Sequence, residues 1–190
     1  MSSLSSTSGQ LLVAAPSLLD PNFSRTVVFM VDHTTDGALG VVLNRPSDTG
    51  VDELLPEWRS MVVAPASVFI GGPVQVDDAV IGLGRRRSSG GLGGLDGWQQ
   101  LLGPVGSVDF GMDALDASSH LDGVRVFAGY AGWGPGQLES ELAQGGWLVL
   151  HAEPDDLLSE APATLWRRVL RRQRGEIAMT ANRPLDPTVN

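Results

Sequence analysis

Short apolar runs separated by glycine- and proline-rich breaks give the chain its pattern. Residues 11–15 (LLVAA) form one run, ending at Pro16, and predict a buried strand. A turn follows at 20–23 (DPNF), where Asp, Pro and Asn favour chain reversal. Residues 26–32 (TVVFMVD) are rich in β-branched side chains and predict the strongest strand. A turn at 33–37 and a second run at 38–44 complete a hairpin. Further strands are predicted at 68–70, 79–83, 105–109, 124–128 and 147–150, the first two joined through Gly71-Gly72-Pro73. Helical segments are fewer. A short one at 51–58 is limited by Pro56, and 113–120 forms a helical turn. The segment 135–144 opens at Pro135 and closes before Gly145-Gly146, the usual asymmetry of helix ends. Over 162–172, Leu165, Trp166, Val169 and Leu170 share one side, and Arg167, Arg168, Arg171 and Arg172 the other.

An early hairpin set followed by strand–helix–strand defines an α+β (mixed α/β) class with a mixed sheet. The expected organisation is a serine-rich disordered tail at 1–8, one domain at 9–175 and a largely irregular C-terminal extension at 176–190. The basic, glycine-rich stretch 85–97 is expected to be a loop, and 183 onward a frayed tail.

Composition then removes several functions. The chain has no apolar run near the 18 residues of a membrane span, and residues 1–8 lack the marks of a signal peptide. It has no cysteine, which excludes disulfides and thiolate metal sites and fits a cytoplasmic location. All 13 basic residues are arginine, so a P-loop lysine, a Schiff-base lysine and a Ser/Lys pair are impossible. The net charge of −9 disfavours the phosphate contacts on which DNA affinity rests.

The stretch 127–139 (FAGYAGWGPGQLE) is the densest concentration of glycines and aromatics. A strand–turn–helix corner there aims backbone N–H groups at one place. The stretch resembles the GYAGW-x-x-GQLE-x-E segment of the YqgE/AlgH-like family of small bacterial proteins. GQLLVAAP at 9–16, GALGVVLNRP at 37–46 and VFIGGPV at 68–74 match that family in the same order. The resemblance runs from about Gly9 to Arg172. It implies one domain with a curved, partly barrel-like sheet flanked by helices, and a label of transcriptional regulator without a settled activity.

These readings select a candidate ligand- or partner-binding surface: Tyr130, Trp133, Gly134, Gly136, Gln137 and Glu139. Asn22, Arg25, Asn44 and Arg45 join it because their segments also match the family. The bland alternatives are a purely structural corner, and arginines that pair with carboxylates inside the fold. Gly132-x-Gly134-x-x-Gln137, with Glu153 downstream, comes close to a dinucleotide fingerprint but has Gln at its third position. His33, His120 and His151 are expected to be exposed turn residues, so no metal and no cofactor is assigned. No Gly-x-Ser-x-Gly or HExxH motif occurs, and no catalytic residue is assigned. The arginines of 167–174 are expected to complement Glu153, Asp155, Asp156 and Glu160 rather than DNA. The preferred reading is a non-enzymatic binding or regulatory protein with a protein or small-molecule partner. The alternative is a hydrolase or nucleotide-dependent enzyme that uses the corner as an anion site.

Overall fold

The computed structural model describes residues 6–88 and 95–182. The expected loop at 85–97 and the expected tails lie partly or wholly outside these residues. In chain order the strands are β1 Gln10–Ala14, β2 Val27–Thr34, β3 Gly37–Val42, β4 Pro46–Gly50, β5 Ser67–Ile70 and β6 Val80–Arg86. They continue with β7 Trp98–Leu102, β8 Val105–Val108, β9 Leu121–Ala128, β10 Ala131–Trp133 and β11 Trp147–His151. The helices are α1 Val51–Leu54, α2 Ala114–His120, α3 Gln137–Ala143, α4 Pro154–Leu157, α5 Pro162–Arg171 and α6 Glu176–Thr180. The helix expected at 51–58 ends at Leu54, before Pro56, and a 3₁₀ turn, Pro56–Met61, follows it.

The mixed α/β class is as expected, but the strands divide into two sheets and no barrel closes. The first sheet has the order β10-β3-β2-β1-β11 and is antiparallel throughout. The second has the order β4-β5-β9-β6-β8-β7, with β5 and β9 the parallel pair. The central glycine motif carries the chain from one sheet to the other. β9 ends in the second sheet, Gly129 and Tyr130 cross over, and Ala131–Trp133 becomes an edge strand of the first. Sequence patterning misses β10 because three residues next to glycines show no period, β4 because PSDTG is largely polar, and β7 because WQQLL does not alternate.

Alternation along β1 and β2 gives the first sheet two apolar faces. Leu11, Val13, Val27 and Phe29 pack inward with Phe69, Leu83 and Phe127 of the second sheet and with Leu165, Trp166, Val169 and Leu170 of α5. Leu12, Ala14, Val28 and Met30 face outward, where Leu138 of α3 and the indoles of Trp133 and Trp147 cover them. The outer side of the second sheet is closed by Trp58, Met61 and Ala117 from the 3₁₀ turn and α2. Helix α3 spans the outer face between the two edge strands β10 and β11. It ends at Gly145 with a Schellman pair, Gly146 N–H to Glu141 O at 3.1 Å and Gly145 N–H to Leu142 O at 3.0 Å. It starts later than expected: Gly136, at φ +73°, is the N-cap, and Pro135 precedes it.

Thr7 is buried and bonded to His33, and α6 sets Ile177 and Ala181 against the central core.

Candidate functional site

Two groups of predicted residues form on opposite faces of the first sheet. On the outer face, the polar side chains of the corner bond to one another. Oε2 of Glu141 accepts the indole N–H of Trp147 at 2.8 Å and that of Trp133 at 3.0 Å. Its Oε1 accepts from the Gln137 amide at 3.0 Å, and the Gln137 carbonyl caps the Gly134 N–H at 3.1 Å. Phe23 stacks on Trp133 at 6.2 Å between centroids and meets Trp147 edge-on at 5.4 Å. Trp133, predicted as a contact residue, is therefore mostly enclosed. Tyr130 stands apart from this cluster, its backbone bonded to Val74 in both directions at 3.0 Å.

Glu139 leads to an arrangement that invites a catalytic reading. Its Oε1 lies 2.9 Å from Nε2 of His33, whose Nδ1 is 3.0 Å from the hydroxyl of Thr7. Hydroxyl, imidazole and carboxylate are thus connected in the order of a nucleophile, a base and an orienting acid. The surroundings argue otherwise. The backbone N–H of Thr7 donates to the same Nδ1 at 3.1 Å, so the lone pair that would take a proton is already shared. Thr7 and His33 are both buried, at 4% and 9% exposure. His33 is a core latch in β2, which corrects the expectation of an exposed turn histidine. Its ring donates to Glu139, and that bond, after the bond from the backbone N–H of Glu139 itself, holds the Glu139 carboxyl below its ordinary range.

On the inner side, where β2 begins and β3 ends, Ser24, Arg25, Asn44 and Arg45 meet Ala163, Trp166 and Arg167 of α5 around a cleft of about 260 Å³. Asn44 builds it. Its Oδ1 accepts the Val27 N–H at 2.9 Å and its Nδ2 donates to the Arg25 carbonyl at 2.9 Å. Arg25 is held there at φ +57°, a left-handed conformation that costs a non-glycine residue energy. Its guanidinium lies 4.9 Å from the centroid of the Trp166 ring, and the Trp166 indole is fixed by a 2.9 Å bond to the Ala14 carbonyl. Arg45 donates through Nη2 to the carbonyls of Pro21 at 2.8 Å and Ser24 at 3.3 Å, rather than to a carboxylate as expected. Burial lowers the pKa of Arg25, and the nearby charge of Arg167 lowers it further. Burial also lowers that of Arg45, and Asp20 opposes the shift. Among the described residues that line the cleft there is no carboxylate.

Asn22 is exposed, its backbone N–H bonded to Asp20, and it joins neither group. On the basic face of α5, Arg168 and Arg172 meet carboxylates as expected, whereas Arg171 reaches Asn182 at 3.5 Å. Arg172 forks onto the buried Asp156 at 2.7 and 2.9 Å and reaches Glu153 at 3.2 Å. Sequence reasoning missed Glu141, Trp147 and Arg167 as site members, since nothing in local spacing ties α5 to the turn before β2. It also missed Arg125, 1% exposed in β9, which donates to the carbonyls of Ser159 at 2.8 Å and Ala64 at 2.7 Å. Burial pushes its pKa down to about 10, so it remains charged at neutral pH. Among the described residues no group of histidines and carboxylates could hold a metal ion, and no helix is long and apolar enough to cross a membrane.

Both the sequence and the fold are similar to those of known proteins. The AlgH-like family profile matches residues 11–178, and the chain belongs to that family. It is 48% identical to a UPF0301 protein of Streptomyces coelicolor, over all of this chain and 98% of that one. It is 49% identical to a UPF0301 protein of Thermobifida fusca, over 97% of this chain and 96% of that one. The fold is similar to a crystal structure of a Corynebacterium diphtheriae protein, with TM-score 0.87 and 32% identity over 96% of this chain and 95% of that one. It is also similar to the solution structure of AlgH from Pseudomonas aeruginosa, with TM-score 0.66 and 29% identity over 97% of both chains.

Proposed function

We propose that the protein is a cytoplasmic, non-enzymatic binding or regulatory protein whose contact site is the arginine cleft, with the glycine corner as its support. One observation carries this reading: Arg25, Arg45 and Arg167 line one cleft with no carboxylate among its described lining residues, in a chain of net charge −9. Arg167, which has no ion pair among the described residues, repels Arg25, and a negatively charged partner group relieves that cost. The corner supplies less, because Gln137, Glu139 and Glu141 spend their hydrogen bonds within the fold. It contributes indirectly, since Phe23 anchors the turn that carries Arg25 onto Trp133 and Trp147.

The enzyme alternative loses its motive in the sharing of Nδ1 of His33 between two groups of Thr7. A nucleotide reading loses the βαβ context it needs, because β10 pairs antiparallel with β3 and sits at a sheet edge. Sequence-specific DNA binding finds Arg172 and Arg168 already beside Asp156.

The test is co-purification from native cells with the wild-type chain and with Arg167→Gln. A specific partner recovered with the wild type and lost with the variant, at equal melting temperature, supports the cleft. A partner retained by Arg167→Gln and lost by Gln137→Ala returns the contact surface to the corner.

A further inference from the structure

We propose that the cleft of Ser24, Arg25, Asn44, Arg45, Trp166 and Arg167 recognises a terminal phosphate group. This rests on the binding reading above and names the chemistry of the ligand.

Charge is the first argument. A phosphate monoester carries close to two negative charges at neutral pH, and Arg45 and Arg167, which make no ion pair among the described residues, match that better than they match a single carboxylate. The second is donor supply. Arg45 commits only Nη2 to carbonyls, and its Nε and Nη1 have no hydrogen bond among the described residues. Arg167 makes no hydrogen bond or ion pair among the described residues, although it lies close enough to Arg25 to repel it. Planar forks of this kind bind phosphate oxygens in pairs.

Preorganisation is the third. Asn44 fixes the backbone of Arg25, the Trp166 ring lies 4.9 Å from its guanidinium, and the Ala14 carbonyl fixes Trp166. Little ordering remains to be done when the ligand arrives, which is what makes a small site bind. Size is the fourth. At about 260 Å³ the cleft falls just below the range of about 300–1,000 Å³ typical of drug-sized ligands. It admits a phosphoryl group and a small attachment, and a nucleic-acid duplex is excluded by size and by the charge of −9.

The experiment is a ¹⁵N–¹H NMR titration of the full chain at pH 7.5 and constant ionic strength. The probes are inorganic phosphate, glycerol 2-phosphate and acetate, with chloride as the balancing anion. The expected result is saturable shifts at Ser24, Arg25, Arg45 and Arg167 with either phosphate, and at least tenfold weaker binding of acetate. Arg167→Gln weakens phosphate about tenfold, the loss expected for one charge-assisted pair, with unchanged spectra elsewhere. Tighter binding of glycerol 2-phosphate than of inorganic phosphate assigns the source to an ester, and the reverse order assigns it to the free ion. Shifts that never saturate and are the same with acetate overturn the proposal. So does phosphate binding that Arg167→Gln and Arg45→Gln leave unchanged. Failure with phosphate while Arg167→Gln still loses its cellular partner refutes the ligand class and leaves the binding reading standing.

Discussion

Nε2 of His33 lies 2.9 Å from Oε1 of Glu139, a contact that joins β2 to α3 across 106 residues of sequence. The carboxylate sits in the first turn of α3, where the helix dipole also favours negative charge. Its folded pKa is depressed, so the ionised group contributes stability that is full above the unfolded value of about 4.3. That contribution fades as pH falls through the lower folded value. Because Glu139 is one-third exposed, screening keeps the effect small. Glu139→Gln should cost about 0.5–1 kcal/mol at pH 7 and flatten the acid limb below about pH 4.3. Urea midpoints from pH 3 to pH 7 measure both. An acid limb as steep as that of the wild type would show that Glu139 carries none of it.

A second prediction concerns Arg172 and Asp156. Asp156 is 1% exposed and depends on Arg172 for its two shortest side-chain bonds to a cation. Removing one partner of such a pair leaves a charge buried, a loss of about 3 kcal/mol or more. Arg172→Leu should lower stability by that amount in chemical denaturation. Arg171→Leu, an exposed neighbour on the same helix, should change it by about 0.5 kcal/mol or less. If the two variants prove equal, the Arg172 pair contributes nothing beyond an ordinary surface charge.

What could be seen in the sequence follows the range of the interactions involved. Periodicity finds β1, β2, β9 and α5 because Leu11 to Ala14, Val27 to Met30 and the Leu165/Val169 stripe bury continuous faces. It does not find the split into two sheets, because the break occurs at Gly129 and Tyr130, where backbone geometry decides and no side-chain pattern records it. The arginine cleft is half visible. Arg25, Asn44 and Arg45 lie at the two ends of a predictable hairpin, whereas Trp166 and Arg167 arrive from more than 120 residues later in the chain. His33 looks exposed because turn-forming residues follow it, yet β2 continues through Thr34 and Thr7 covers the ring.

The third prediction separates the two polar residues that share the corner. Glu141 satisfies both indole N–H groups and the Gln137 amide, so Glu141→Leu strands buried donors. Each stranded donor costs about 1–3 kcal/mol, and the two indoles together should lower stability by about 2–6 kcal/mol. Gln137→Ala gives up two exposed bonds, its cap on Gly134 and its amide's bond to Glu141, and should cost about 1 kcal/mol or less. Tryptophan fluorescence during urea unfolding reads the cluster directly. If Gln137→Ala proves the more damaging of the two, the corner is not organised around Glu141.

The last prediction ranks the glycines of the motif by what a methyl group would meet. Gly129 combines φ +70° with a crowded site, for an added Cβ would fall 2.7 Å from the Val74 carbonyl oxygen and 2.9 Å from that of Gly72. Both are backbone atoms of the segment that pairs with Tyr130, so neither can retreat without breaking that bridge. Gly136 has a similar φ of +73° but open space around it. Its replacement incurs only the left-handed penalty of about 1 kcal/mol. Gly134 has neither restriction, its nearest neighbour being the Gln137 side chain at 4.0 Å. Gly134→Ala should be neutral or stabilise by up to about 1 kcal/mol through the unfolded chain. The expected order of melting temperatures is therefore Gly134→Ala highest, Gly136→Ala next and Gly129→Ala far below, with a loss of about 3 kcal/mol or more. The order tests where the crossing between the sheets is made. A Gly129→Ala protein as stable as Gly136→Ala would mean that the backbone near Val74 yields, and the sheet-to-sheet crossing would not depend on the absence of a side chain at Gly129.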